Sequence, residues 1–334
     1  MINSKKLMFF SSDSSGCYFY RTKTPADFLC AQSHIGFNRS DPYIKEADVI
    51  FIQRVAADGI TDWIKDMQSQ GKKIVYDIDD NLWELSVTNP ASKFYTSSRL
   101  KEIKNIIRLC DAVVVSTFPL GRYFKNNNFN NNIHVIHNMI NIPEDFAFRD
   151  VDYNKDIVRI GYSGSPTHSQ DFSYMLHKAL KDIKKKYKDK VKLVCMGYNP
   201  LTGIDIEYHD YVKVTEYLNK LNSLNLDISL CPLSNTTFNA SKSNLKFLEN
   251  SICKFASVVS DTVSYNTTTE HMKTGIIISN EKNWYKSFEQ LIEDTSLREK
   301  LSNSAFEYVK NNYTLNYNGQ LIKDKYNQLL RSIF

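Results

Sequence analysis

Short apolar, β-rich runs recur along the chain at 6–10, 47–53, 73–78, 111–116 and 133–137. Stretches with helical spacing lie between several of them, such as Ile60, Trp63, Ile64 and Met67, ended by Gly71. Ala112-Val113-Val114-Val115 is apolar at every position, the mark of a strand covered on both faces. This alternation predicts a parallel sheet with helices on both sides. A second series follows at 157–163, 191–196, 226–231, 256–260 and 275–279. The chain then reads as helical to its end, through Trp284, Phe288, Leu291 and Ile292, then Leu301, Phe306 and Val309, then Leu321, Tyr326 and Leu329. Between the two series, 139–156 holds Pro143 and scattered charges without periodicity, and Lys125 to Asn132 reads as a polar surface loop.

The expected fold class is therefore α/β with two Rossmann-like domains. Residues 1–140 form the first, 141–154 the linker and 155–315 the second, with a terminal helical segment at 316–334. Ligands in such sheets bind outside the carboxyl ends of the strands, where strand order reverses. The chemistry is accordingly sought in loops that follow strands.

Composition narrows the class. The 334 residues are 42% hydrophobic and 24% charged, a globular balance. No uninterrupted apolar run approaches the roughly 20 residues of a membrane span, and Leu7-Met8-Phe9-Phe10 is far shorter than a secretory core. Cys17, Cys30, Cys110, Cys195, Cys231 and Cys253 form no C-x-x-C pair; they read as small reduced hydrophobes, without zinc. A cytoplasmic protein is expected. The formal charge of +5 permits an anionic partner but selects none. Much of the excess lies between Lys178 and Lys192, around the helical apolar spacing of Leu176, Leu180, Ile183 and Tyr187, which reads as a solvated outer face.

Four loops carry candidate chemistry. After the first strand, Ser11 to Arg21 offers hydroxyls, Gly16 and a possible anion clamp in Arg21; Thr24, Pro25 and Asp27 predict the start of a helix. After the strand at 73–78 comes Asp77-Ile78-Asp79-Asp80, carboxylates that repel one another unless a cation, water or hydrogen-bond donors lie near. Three uses remain open for it: a metal-binding Asp-x-Asp, a phosphatase-like nucleophile lacking its usual Thr, or an acceptor-binding edge. Helix capping by Asp79 or Asp80 is the plain structural use. The second series opens on Gly161-Tyr162-Ser163-Gly164-Ser165-Pro166-Thr167-His168, a turn able to approach a diphosphate. Last, Cys231-Pro232-Leu233 and a polar loop lead to Ser241-Lys242-Ser243-Asn244-Leu245-Lys246-Phe247-Leu248-Glu249. Helical geometry from Ser241 onward places Lys242, Lys246 and Glu249 on one stripe, with lysines for phosphates and a carboxylate for ribose hydroxyls. A surface helix laced by ion pairs accounts for the same charges.

Asp227 to Leu233, Lys242 to Glu249 and Ala256 to Ser260 together resemble the donor-binding segment of GT-B glycosyltransferases, closest to the retaining family 4 type. Asp48 to Arg54, Val75 to Trp83, Asp111 to Thr117 and Val135 to Asn141 resemble the first domain of the subgroup with a D-I-D-D segment. The resemblance covers nearly the whole chain and implies a final helix crossing back to the first domain. It further implies retaining transfer from a nucleotide sugar without a catalytic metal or resident cofactor. In that frame Gly164, Ser165, His168, Gly197, Tyr198, Lys242, Ser243, Asn244, Lys246 and Glu249 bind the donor. Gly16, Arg21 and Asp77 bind the acceptor, and Asp79, Asp80 and Lys246 serve catalysis. The family places a first Glu where this chain has Ser241, and many members have a His-Asp pair where it has Asp77 to Asp80. The expected partners are a nucleotide sugar and a glycan, lipid-linked or polymer acceptor, with peripheral membrane contact; nucleic acid is a less favoured acceptor. The rival readings are a metal-dependent transferase using Asp77 and Asp79, a transferase acting on modified DNA, and a non-catalytic nucleotide-sugar-binding protein.

Overall fold

The computed structural model describes residues 2–334, which fall into two compact units. The first comprises the chain up to Asn141, Ser241–Ser243 and Asn318–Phe334; the second comprises Ile142–Ala240 and Asn244–Tyr317.

In the first unit, β1 (Leu7–Ser11), β2 (Gln32–Ile35), β3 (Val49–Gln53), β4 (Lys73–Ile78), β5 (Ala112–Val115) and β6 (Ile133–Val135) form a parallel sheet ordered β2-β1-β3-β4-β5-β6. The four inner strands are buried at nearly every position, as apolar runs covered on both faces require. Helices α1 (Ile60–Ser69), α2 (Ser97–Leu109) and α3 (Phe118–Asn126) pack on it through Ile60, Trp63, Ile64 and Met67, then Ile103, Ile106 and Ile107, then Leu120 and Phe124. The sequence order of the strands reverses between β1 and β3, so their carboxyl ends flank the switch point.

The second unit repeats the scheme. Strands β7 (Val158–Ser163), β8 (Val191–Met196), β9 (Glu207–His209), β10 (Ile228–Cys231), β11 (Ala256–Ser260) and β12 (Ile276–Ile278) are ordered β12-β11-β10-β7-β8-β9, all parallel, with the switch point between β7 and β10. Around them lie α4 (Tyr174–Tyr187), α5 (Val214–Ser223), α6 (Leu245–Ile252), α7 (Trp284–Glu293) and α8 (Thr295–Tyr313). Buried Arg298 donates to the carbonyls of Leu291 and Ile292 at 2.6 and 2.9 Å, satisfying carbonyls at the end of α7. Helix α9 (Leu315–Ile333) breaks at Asn318, with φ −132° and ψ 30°, where the chain enters the first unit again. There Tyr326 meets the stacked rings of Phe9 and Phe51 edge-on, at 6.3 and 5.7 Å.

Several sequence expectations need correction. Strands β2 and β9 have no apolar signature, because both are sheet edges built from Gln-Ser-His-Ile and Glu-Tyr-His. Helical backbone begins at Gly16 rather than Thr24. Ser15 caps it by accepting from the Cys17 amide, and a π-turn over Phe19–Lys23 leads into Thr24–Phe28, where Pro25 removes a helical donor. The expected polar loop around 125–132 is partly anchored: Phe129 is buried and stacks on Phe124 at 4.3 Å. All of the expected 141–154 linker except Asn141 belongs to the second unit, where Phe146 is buried and Arg149 donates to the carbonyls of Leu226 and Cys253. Leu321 is exposed, and Ile322 takes its place in the apolar face of α9.

Candidate functional site

Two clusters occupy the two switch points, and each is built within its own unit. In the first, Arg54 directly follows β3 with a left-handed φ of 53°, a strained geometry for a side chain with a Cβ. Its amide donates to the Asp77 carbonyl at 3.1 Å. Its Nη2 lies 2.8 Å from Asp79 Oδ1 and 2.6 Å from Asp80 Oδ2. Cys17 joins them: its Sγ and an oxygen of each carboxylate lie within 4.8 Å of one another, the one three-ligand group of this kind among the described residues. That spacing suits a cation, but a guanidinium already supplies the positive charge. Burial also pushes the Cys17 thiol well above its ordinary value, only partly opposed by Arg54. Neither Asp79 nor Asp80 caps a regular helix by the geometry of the following turn, whose flanking residue is Asn81.

Arg21 and Asp77 lie beneath this cluster and bind one another. Arg21 Nε and Nη2 donate to Asp77 Oδ1 and Oδ2 at 2.9 and 2.8 Å, while Nη1 donates to the Ile136 carbonyl and Asn138 Oδ1. Both side chains are 3% exposed. Burial alone would lower the Arg21 pKa, but the paired Asp77 carboxylate carries it upward, so the guanidinium is charged. The clamp expected for a ligand is thus closed on a protein carboxylate. Gly16 heads its helix with open space where a Cβ would stand, so no close approach within the chain demands glycine there.

In the second unit the structure brings most of the expected donor residues to the carboxyl ends of β7, β8 and β10. Gly164 donates its amide to the Met196 carbonyl at 3.1 Å, setting the turn after β7 against the one after β8. A Cβ on Gly164 would stand 2.1 Å from the Tyr162 hydroxyl. Gly197 has φ +81°, and a Cβ there would lie 2.6 Å from the Tyr211 ring. Tyr211 and Tyr208 close over these turns by donating to the carbonyls of Gly164 and Gly197, at 2.6 and 3.1 Å. Ser165 Oγ lies 2.5 Å from Thr167 Oγ1, and Tyr198 is half-buried against the core.

Lys246 reaches this turn from α6, donating to the Ser163 carbonyl at 2.5 Å with its ammonium 4.9 Å from the Tyr162 ring. Ser163 Oγ is bonded to the hydroxyl of half-buried Tyr217 at 2.6 Å. The stripe predicted from Ser241 is corrected. Helix α6 begins at Leu245, so Lys242 and Ser243 precede it and Asn244 flanks its start, its amide held by Thr268 Oγ1 at 3.0 Å. Residues 241–243 group with the first unit, where Thr117 donates to the Ser241 carbonyl and Asn138 to Ser243 Oγ. Glu249 stays on α6 and is 6% exposed; every residue from Phe247 to Ile252 is buried. A solvent-facing ion-paired helix is therefore not what α6 is.

Sequence reasoning missed Arg54, whose importance lies in a backbone angle and in strand adjacency. It also missed Asp171. This carboxylate accepts from His168 Nδ1 at 2.8 Å, from the Ser234 amide and hydroxyl at 2.9 Å each, and from Asn239 Nδ2 at 2.8 Å. Burial would raise its pKa, but these bonds, His168 first, bring it below the ordinary carboxylate value.

No protein-family model and no curated protein sequence matches the chain. Solved structures do. HepE of Anabaena in complex with UDP and glucose superposes with a TM-score of 0.63 at 12% identity, over 96% of this chain and 99% of that one. An α-glucosyltransferase in complex with UDP and a 13-mer DNA containing a HMU base gives 0.66 at 10%, over 96% and 99%. Sucrose-phosphate synthase of Thermosynechococcus elongatus gives 0.63 at 10%, over 98% and 100%. The chain has the GT-B glycosyltransferase fold, with two parallel six-stranded sheets and flanking helices.

Proposed function

We propose that this protein is a nucleotide-sugar-dependent glycosyltransferase whose second unit binds the donor. One observation carries the reading: Lys246 places a cation on the turn at Ser163–Gly164, while Gly197 turns beside it and buried Glu249 lies one helical turn along from Lys246. A cation, close backbone and a carboxylate are what a diphosphate and a ribose need. That two similar folds were solved with UDP agrees with it. The base sits by Gly197 and Tyr198, and Lys246 stabilises the departing diphosphate. Asp79 and Asp80, both paired with Arg54, form the acceptor side of the chemistry, with Arg21 and Asp77 supporting them from below. Transfer proceeds with retention to a glycan, lipid-linked or polymer acceptor. Incubating the chain with a panel of nucleotide sugars and measuring nucleotide release tests the reading. A ligand specific to the native state also raises Tm. Binding without turnover under any acceptor would make the protein a binder instead.

The donor reading needs no metal at Asp77 or Asp79, since Arg21 already pairs with Asp77 and Arg54 with both Asp79 and Asp80. Activity is expected to persist in excess EDTA. Complete loss, restored by manganese and abolished by Asp79→Ala, would establish the metal-dependent alternative.

We also propose peripheral membrane contact through the first unit. Lys101 and Arg108 are exposed on α2, and Val87 and Phe94 protrude nearby in sequence, 91% and 54% exposed, with the Arg99 guanidinium 3.9 Å over the Phe94 ring. No helix among the described residues is long and apolar enough to cross a membrane. Vesicles containing anionic lipid are expected to retain the chain at low salt and release it at high salt. Equal retention on neutral vesicles would exclude this electrostatic contact.

A further inference from the structure

Asp171 joins the two loops that flank the β7/β10 switch point. Its Oδ1 takes three donors from the loop after β10, the Ser234 amide, the Ser234 hydroxyl and Asn239 Nδ2, and its Oδ2 faces His168 Nδ1 in the turn after β7. The side chain is 2% exposed, whereas that of His168 is 18% exposed. An ionised carboxylate accepts only, so His168 Nδ1 must carry the proton of their bond. The tautomer and plane of the ring are thereby set, and what Nε2 offers is set with them. The same turn carries Ser163 and Gly164, on which Lys246 and Tyr211 converge.

We propose that His168 contacts the diphosphate of the donor and that Asp171 is its positioning residue, a buried carboxylate–imidazole pair supplying a second donor group beside Lys246. The assignment rests on the nucleotide-sugar reading above. With Nδ1–H committed to Asp171, a hydrogen bond from Nε2 to a phosphate oxygen uses the imidazolium, which the adjacent carboxylate favours.

Asp171→Asn separates positioning from loop-tying. The Asn oxygen can still take the three donors from Ser234 and Asn239. Its amide then faces His168 Nδ1 as a donor, so the ring must accept there and the Nδ1 proton is lost. The neutral ring keeps an Nε2–H donor but no longer carries the charge that the carboxylate supported. The experiment is calorimetric titration of uridine, UMP and UDP into the native chain, His168→Ala and Asp171→Asn, with 15N spectra of the imidazole in native and Asp171→Asn protein.

Loss of one charge-assisted bond weakens UDP binding roughly ten- to a hundredfold. That loss is expected in full in His168→Ala and in smaller measure in Asp171→Asn, where a neutral Nε2–H donor remains, with uridine affinity unchanged and the Nδ1–H signature absent in Asp171→Asn. Native UDP affinity in His168→Ala overturns the proposal, and does so even should Asp171→Asn fail to fold. A loss confined to His168→Ala overturns the role given to Asp171. Equal loss for uridine and UDP assigns both residues to loop structure and overturns the diphosphate contact. A native chain that binds none of the three ligands, and no nucleotide sugar, overturns the donor reading together with this assignment.

Discussion

Glu249→Gln is expected to weaken UDP binding roughly ten- to a hundredfold while leaving the fold in place. Glu249 sits on a helix whose neighbours from Phe247 to Ile252 are all buried, and it is 6% exposed itself. A buried carboxylate close to a proposed diphosphate site is repelled by the ligand it serves, so its presence needs compensation. Two vicinal ribose hydroxyls provide it, because an ionised carboxylate accepts from both. Gln keeps the volume and one acceptor oxygen but loses the charge. Helix geometry alone suggests that Glu249→Ala would be equally clean, yet burial makes it the poorer variant, since a cavity adds a stability cost of its own. The measurement is titration of UDP and uridine against Glu249→Gln, with Tm as the control. Both ligands should weaken, because ribose belongs to both; this distinguishes Glu249 from His168, for which only UDP should. Native affinity in a folded Glu249→Gln variant would remove Glu249 from the site.

The inner strands are legible in the sequence because burial on both faces leaves nothing but apolar residues, as at Val49–Phe51 and Ala112–Val115. The same physics hides β2 and β9, where one edge faces outward and polar side chains are tolerated. Candidate residues on turns, Gly164 and Gly197, are legible through their backbone demands. Those that depend on three-dimensional partners are not. Arg54 reads as an ordinary strand-end arginine until its left-handed φ and two carboxylates are seen. Lys242 shares a helical face with Lys246 only if the helix is begun at Ser241, and the helix begins at Leu245. Asp171 carries no local motif at all, because three of its four bonds come from a loop more than sixty residues away.

Asp77→Ala should be the most destabilising single change of those considered in the first unit. Arg21 is 3% exposed and gives Asp77 both Nε and Nη2, so removing the carboxylate leaves a buried guanidinium with only the Ile136 carbonyl and the Asn138 side chain. Breaking a buried ion pair from one side costs about 3–5 kcal/mol, because the remaining charge is uncompensated. For a unit of this size that corresponds to a fall in Tm on the order of 10 °C. Replacing both charges, as in Arg21→Met with Asp77→Leu, removes the stranded guanidinium but orphans the Ile136 carbonyl and Asn138 Oδ1 as acceptors. The double variant should therefore recover part of the loss, not all of it. Urea unfolding of the native, single and double variants gives the comparison directly, and glycosyl transfer by the folded double variant gives a second reading. If Arg21 and Asp77 support Asp79 and Asp80 from beneath, the acceptor KM should change little where the fold survives. If instead either side chain opens to hold the acceptor, KM should rise steeply in the double variant at unchanged donor affinity. A loss below about 1 kcal/mol in Asp77→Ala would mean that the pair is weakly held, and the support assigned to it would fail.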